Sequence, residues 1–207
     1  EIETEEFIED DNIIHVEGRV NPISDKEIID MELQLKDLES VDKKISKIER
    51  AAKAGDAKAK QELNALLLFK STLEAGKSAR TVDMDIDLRE TSIGDLCLLT
   101  DKPVIYVANV DENSLSTGGN IFVDQLKSSV SAENAEVIVV CAAIEAQIAE
   151  IEDLDERAMF LSEYGLQESG LSKLIKSSYS LLNLITYFTA GVQEVRAWTI
   201  QKGWKAP

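Results

Sequence analysis

Only two cysteines, one histidine and three prolines occur among 207 residues, and aromatic side chains make up 5%. Each scarcity excludes something. Cys97 and Cys141 stand far apart and in no metal-ligand spacing, so the chain is neither a disulfide scaffold nor a zinc-ribbon module, and it fits a reducing compartment. His15 lies between Ile14 and Val16 with no Ser or Cys nucleophile placed beside it. It reads as a structural strand residue, not as the base of a triad. No run approaches the length of a membrane-spanning helix, and the start EIETEEF lacks the basic flank of a signal peptide. A cytoplasmic protein with no membrane partner is the expectation. Basic residues are scarce too: 22 Lys and Arg against 39 Asp and Glu give a net charge of −17, which argues against a surface laid broadly on nucleic acid.

Phosphate-binding glycine patterns are also wanting. Gly76-Lys77-Ser78 has the ending of G-x-x-x-x-G-K-[ST], but the first glycine would fall at Ser71, and the stretch follows a helical pattern where the motif needs a buried strand. The acidic groups Asp10-Asp11 and Asp83, Asp85, Asp87 read as solvated loop charge in so acidic a chain, and no metal ligands are assigned to them.

What is present has a clear order along the chain. IIHVEGRV (13–20) predicts a strand ending near Asn21-Pro22. Ser24 and Glu27 have capping-box spacing and predict the start of a long helix with a narrow stripe of Ile28, Met31, Leu35, Leu38, Val41, Ile45, Ile48 and Ala52. Gly55-Asp56 interrupts it. Ala59, Leu63, Leu66, Phe69 and Leu73 then resume the pattern until Gly76, which predicts an antiparallel helical hairpin. Its turn carries Lys43, Lys44, Lys47, Arg50, Lys53, Lys58 and Lys60 against only Glu49 and Asp56, a local patch suited to ribosomal or other RNA phosphates, or else an ordinary solvated face.

Beyond Asp83 the spacing predicts a short helix over 88–99, a buried strand in PVIYVAN, a helix over 120–130 with Val123, Leu126 and Val130 on one side, and a second buried strand in EVIVVCAAIE (136–145). Two such runs flanking a helix signify a parallel sheet. Helices over 153–164 and 171–182 follow, then a β-hairpin in LITYFTAGVQEVRAWTI turning at Ala190-Gly191.

The first strand ends on Asn109-Val110-Asp111-Glu112, at the carboxyl edge where open α/β sheets bind ligands. Guanine-nucleotide proteins carry N-K-x-D at such a place; here Val110 replaces the Lys and Glu112 the Asp. Adenine lacks guanine's 2-amino donor and has an acceptor at N1, so the pattern points to adenine or to relaxed specificity. By itself N-x-x-E fits a solvated strand-end loop equally well. The second strand ends on Cys141-Ala142-Ala143, which resembles the small-residue loop that backs a base with main-chain amides.

DDNIIHVEGRVNPISD, LLTDKPVIYVANVDE, VVCAAIEAQIAEI and, most specifically, GLSKLIKSSYSLLNLITYFTAGVQEVRAWTI resemble the YchF/Obg-like ATPase family of P-loop NTPases. The resemblance implies a partial α/β parallel sheet of a P-loop NTPase, an inserted antiparallel helical coiled coil, and the first strands of a β-grasp-like TGS domain. It implies boundaries at 1–23 and 83–182 for two parts of a nucleotide-binding domain, 24–82 for the coiled-coil insertion, and 183–207 for the start of a truncated TGS domain. ATP, or GTP less favourably, is the implied ligand, with Mg²⁺ in an intact parent. Asn109 and Glu112 are then base contacts, Val110 a backbone and packing contact, and Cys141, Ala142 and Ala143 the loop behind the base. The implied function is that of a ribosome-associated regulatory NTPase, here expected to be an inactive internal fragment and a monomer. The alternatives are a non-catalytic ribosome- or RNA-docking module built on the hairpin and TGS region, and an oligomerising coiled coil without ligand.

Overall fold

A computed structural model describes residues 21–133 and 135–205. The expected strand over 13–20, with His15, and the pair Asp10-Asp11 lie outside the described residues. Two compact units divide the described residues, one of Ile23–Pro103 and the other of Val104 onward.

The helical unit is organised by a length mismatch. Helix α1 (Pro22–Lys53) has 32 residues and α2 (Ala57–Glu74) has 18, spans of about 48 Å and about 27 Å at 1.5 Å per residue. Ion pairs from Lys70 to Asp42 and from Lys44 to Glu62 show that the two run antiparallel. The shorter helix therefore covers only the later part of the α1 stripe: Val41 and Ala52 are buried, and Leu38, Ile45 and Ile48 pack on a cluster with Leu66, Phe69 and Leu73. Ile28, Met31 and Leu35, predicted for the same seam, stay exposed. The expected capping box is corrected as well. The helix starts at Pro22, whose fixed φ and missing N–H suit a first helical position, so Ser24 and Glu27 lie within the first turns instead of ahead of them.

Below the hairpin the chain is held by side chains that bond backbone. Asp37, 2% exposed, accepts from the Leu99 and Thr100 N–H groups and from Thr100 Oγ1, each at 2.7 Å. Thr100 Oγ1 accepts in turn from the Ala79 N–H at 3.0 Å. Arg89 donates to the carbonyls of Val82 and Ala79, pairs with Asp101 and lies over the Phe69 ring. Its helix α3 (Ile86–Ile93) is capped by Asp85 and ends short of the expected Leu99. The chain turns there through Leu98 and Thr100, which are buried, and through Cys97 at φ 49°.

In the second unit β1 (Ile105–Asn109) pairs in parallel with β2 (Glu136–Val140), in register from Ile105 opposite Glu136 to Asn109 opposite Val140. The crossover holds α4 (Glu112–Thr117) and α5 (Ile121–Val130). Asn120 caps α5, and Val123, Leu126 and Val130 are its buried face, as their spacing predicts. The run EVIVVCAAIE splits: the strand stops at Val140 and α6 (Ala142–Glu150) begins two residues later, burying Ile144 and Ile148. Helices α7 (Leu154–Glu163) and α8 (Gly170–Leu181) lead to an antiparallel hairpin of β3 (Leu184–Ala190) and β4 (Val195–Gln201). A mixed α/β architecture with one parallel and one antiparallel pair is the result.

Truncating Asp37 to Ala strands the buried N–H and hydroxyl of Thr100 and the partly buried N–H of Leu99, and we expect a loss of about 3–5 kcal/mol in urea unfolding. Lys36→Ala, one residue away on the exposed side, should cost under about 0.5 kcal/mol. Equal effects of the two would contradict the anchoring role of Asp37.

Candidate functional site

The carboxyl ends of β1 and β2 are tied together by two hydrogen bonds. The Val110 N–H donates to the Val140 carbonyl at 2.8 Å and so extends the ladder one residue past the strand. The Asn109 side chain crosses to the other loop, its Oδ1 accepting from the Ala142 N–H at 2.9 Å. A main-chain N–H requires an acceptor, which fixes the amide orientation: Oδ1 faces Ala142 and the Nδ2 donors are left for another group.

Each predicted site residue takes a distinct place around this tie. Val110 is 1% and Cys141 3% exposed, both within the core cluster with Leu115 and Ile144, so they form the floor. Ala142 and Ala143 are exposed at the first turn of α6. Cys141 is the residue before that helix and makes no side-chain cap, which leaves the Ala143 main-chain amide without a capping side chain. Glu112 is the exposed first residue of α4. Its neighbour Asp111 is spent locally, capping α4 by accepting from the Ser114 N–H at 2.6 Å. Strand ends, an amide, a carboxylate and the first turn of a helix thus meet at one edge of the sheet.

Tyr164, not foreseen from the sequence, joins this neighbourhood. It closes α7, packs on the core cluster that holds Val110 and Cys141, and sets its ring 5.2 Å from that of Phe160. Burial of the phenol raises its pKa above the usual value, and the nearby carboxylates of Glu112 and Glu163 add to the rise. The apolar run Ala158 to Leu161 in RAMFLSEYG marks only part of a helix; a shared neighbourhood with Glu112 needs the tertiary fold.

The seven bases near the hairpin tip do not form one uniform patch. Lys43 pairs with Glu39, Lys53 with Glu49, and Lys44 with both Glu62 and Asp95 while only 12% of its side chain is exposed. Between them Lys36 and Lys43 hold the Glu39 carboxyl down to about 2. Burial opposes the charge on Lys44, but Asp95 and Glu62 outweigh it and raise the pKa. Lys47, Arg50, Lys58 and Lys60 stand in no ion pair among the described residues. A shallow groove of about 400 Å³ beside Lys58 offers little to a ligand, because Glu62 is paired and Asp85 caps α3. Among the described residues no group of three or more His, Cys, Asp and Glu could hold a metal ion.

Comparison with known proteins finds relatives along nearly the whole chain. The YchF-GTPase_C family, described as a protein of unknown function (DUF933), matches residues 184–207. The chain is 51% identical over 199 residues to the ribosome-binding ATPase YchF of Bacillus subtilis and 46% identical to that of Escherichia coli O157:H7, in each case over 96% of this chain and 54% of the relative. A solved structure of the Schizosaccharomyces pombe YchF GTPase superposes with a TM-score of 0.82 at 34% identity, covering 95% of this chain and 54% of that one. The chain spans about half the length of the relatives it matches.

Glu112→Gln removes one of the charges that act on Tyr164, so the phenol should titrate at lower pH in the variant than in the wild type while staying above its usual value, because burial is the larger cause. NMR titration of the tyrosine ring signals measures this. An unmoved Tyr164 would separate the two residues.

Proposed function

We propose, from the chain's homology to the YchF proteins over nearly its whole length, that it supplies the purine-recognition part of a ribosome-associated NTPase. The hydrogen bond from the Ala142 N–H to Asn109 Oδ1 carries this reading. It leaves the two Nδ2 hydrogens of Asn109 as donors, and N7, an acceptor on both purines, is the atom they suit. Asn109 therefore recognises a purine without choosing between adenine and guanine. The choice falls to Glu112 and the Ala143 amide.

A carboxylate can accept from adenine's exocyclic N6 donors, whereas guanine puts the acceptor O6 at that position and would repel it. Guanine's own donors, at N1 and N2, call for the shorter Asp. Glu112 with ATP preferred and GTP tolerated is the reading this supports, and the relatives' names, ATPase in bacteria and GTPase in the yeast structure, accord with a finely balanced choice. Phosphate and Mg²⁺ chemistry is assigned to no residue of this chain.

Calorimetric titration of ATP and GTP tests the base assignment. ATP should bind more tightly to the wild type, and Glu112→Asp should shift the ratio toward GTP by about tenfold, the 1.4 kcal/mol of one good polar contact. Val110→Lys, which would complete N-K-x-D, should destabilise the fold, because Val110 is 1% exposed and a lysine there would bury its charge. GTP bound at least as tightly as ATP by the wild type would contradict the reading.

Docking on ribosomal RNA through the hairpin tip extends the proposal, and the ion pairs narrow it to Lys47, Arg50, Lys58 and Lys60. Changing Lys47, Arg50 and Lys58 to Glu should weaken ribosome binding and lower the slope of log affinity against log salt by about 0.7–0.9 for each phosphate no longer neutralised. Lys43→Glu, whose cation is already paired, serves as the control. An unchanged slope in the triple variant would remove the tip from the interface.

A further inference from the structure

Helix α8 is strongly one-sided in sequence, yet none of its residues is buried. The hairpin that follows is equally open, with Phe188 72% and Val195 67% exposed. An arm with so little burial takes its position from a few specific contacts, and these gather at the first turn of α8. A helix begins with four N–H groups that have no partner within it. Here Ser169 Oγ accepts from the Ser172 N–H at 3.1 Å, and one carboxylate, that of Glu145 on α6, accepts from the Gly170 N–H at 2.6 Å and the Leu171 N–H at 3.1 Å. The negative charge also faces the positive end of the helix dipole.

Glycine is required for this clamp to close. A Cβ on Gly170 would lie 2.6 Å from Val140 Cγ1 and 3.0 Å from Glu145 Oε1, so a larger residue would push α8 off both β2 and its anion. On the far side, the Glu145 N–H donates to the Cys141 carbonyl at 2.9 Å, one residue before the amide that Asn109 holds. At the other end of α8, the Tyr179 and Thr199 hydroxyls are 3.2 Å apart, and the Lys202 N–H donates to the Asn183 carbonyl at 2.7 Å to close the base of the hairpin. Hydrogen bonds and covalent chain thus run without a gap from the end of β1 to β4.

We propose that Glu145 is a positioning residue that couples the Asn109/Ala142 edge to the α8–β3–β4 arm, so that ordering one orders the other. The regulatory meaning of the link rests on the purine-site reading above; its existence does not. Occupancy that stiffens the first turn of α6 stiffens the turn carrying Glu145, and through it the first turn of α8, whose amides that carboxylate holds. Coupling of this kind needs no change of fold.

Amide hydrogen exchange on the whole chain tests it through a double-mutant cycle. Asn109→Ala should speed exchange at Gly170, Leu171 and the β3–β4 amides by about 2- to 30-fold, the range such couplings span, when Glu145 is intact, and should add nothing in the Glu145→Ala background. Glu145→Gln keeps one acceptor oxygen and should fall between, which also carries the test if the Ala variant unfolds. Exchange at Val123, Leu126 and Val130 of α5 monitors the core and should not change. Additive effects of the two substitutions, or arm exchange indifferent to Glu145, overturn the proposal. With ATP added to the wild type, protection over 109–112 and 141–143 should extend to the arm; protection that stops at the site also overturns the coupling. Absence of any protection at the site overturns the purine reading instead, and the mutant cycle, which uses no nucleotide, still judges the link.

Discussion

One hydrogen bond, from the Ala142 N–H to Asn109 Oδ1, organises the carboxyl edge of the parallel sheet. A parallel strand pair ends in two diverging loops whose backbone groups have no further ladder to join, and unpaired they would cost free energy on the order of 1–3 kcal/mol each. The Asn side chain bridges that divergence. It satisfies the first amide of α6, which Cys141 cannot cap, and by using its oxygen inward it turns its two hydrogens outward. Strand pairing and helix start therefore share a single side chain, and an Asp in its place would keep the acceptor while losing the donors that the proposed purine contact uses.

The same economy marks the rest of the chain, where carboxylates bonded to backbone hold elements that bury little surface. Asp37 fixes the segment through Leu99 and Thr100 to the long helix, Asp111 starts α4, and Glu145 holds the start of α8. Of the 39 acids that give the chain its net charge, some are thus structural fasteners. Their replacement by amides would lower the charge while leaving each backbone contact a single acceptor oxygen.

Much of this was legible in the sequence because period and punctuation agreed. Val123, Leu126 and Val130 repeat at helical spacing behind a capping Asn120, and LITYFTAGVQEVRAWTI alternates about a turn, so α5 and the β3–β4 hairpin stand where expected. EVIVVCAAIE misled because the last residues of β2 and the first turn of α6 are both apolar, and periodicity cannot divide a run whose halves pack on the same core. The stripe from Ile28 to Leu35 misled for a different reason: a helix pattern does not record how long its partner is. At the strand end, Asn109 and Glu112 were marked by position, but their spacing by itself fitted a solvated loop equally well, and only the Cys141-Ala142-Ala143 run and the family resemblance set them apart. Glu145 could not be marked, since one glutamate in an acidic helix carries no signal until Gly170 is brought beside it from 25 residues away.

The central claim, that a purine is read at the carboxyl ends of β1 and β2, is tested most directly by NMR of the side-chain and main-chain amides during titration with ATP. The account predicts that the Asn109 Nδ2 hydrogens and the Ala143 N–H shift most, because they are the donors facing outward, while the Ala142 N–H, already bonded to Asn109, shifts less. Saturating shifts confined to other residues, with Asn109 and Ala143 unmoved, would contradict it.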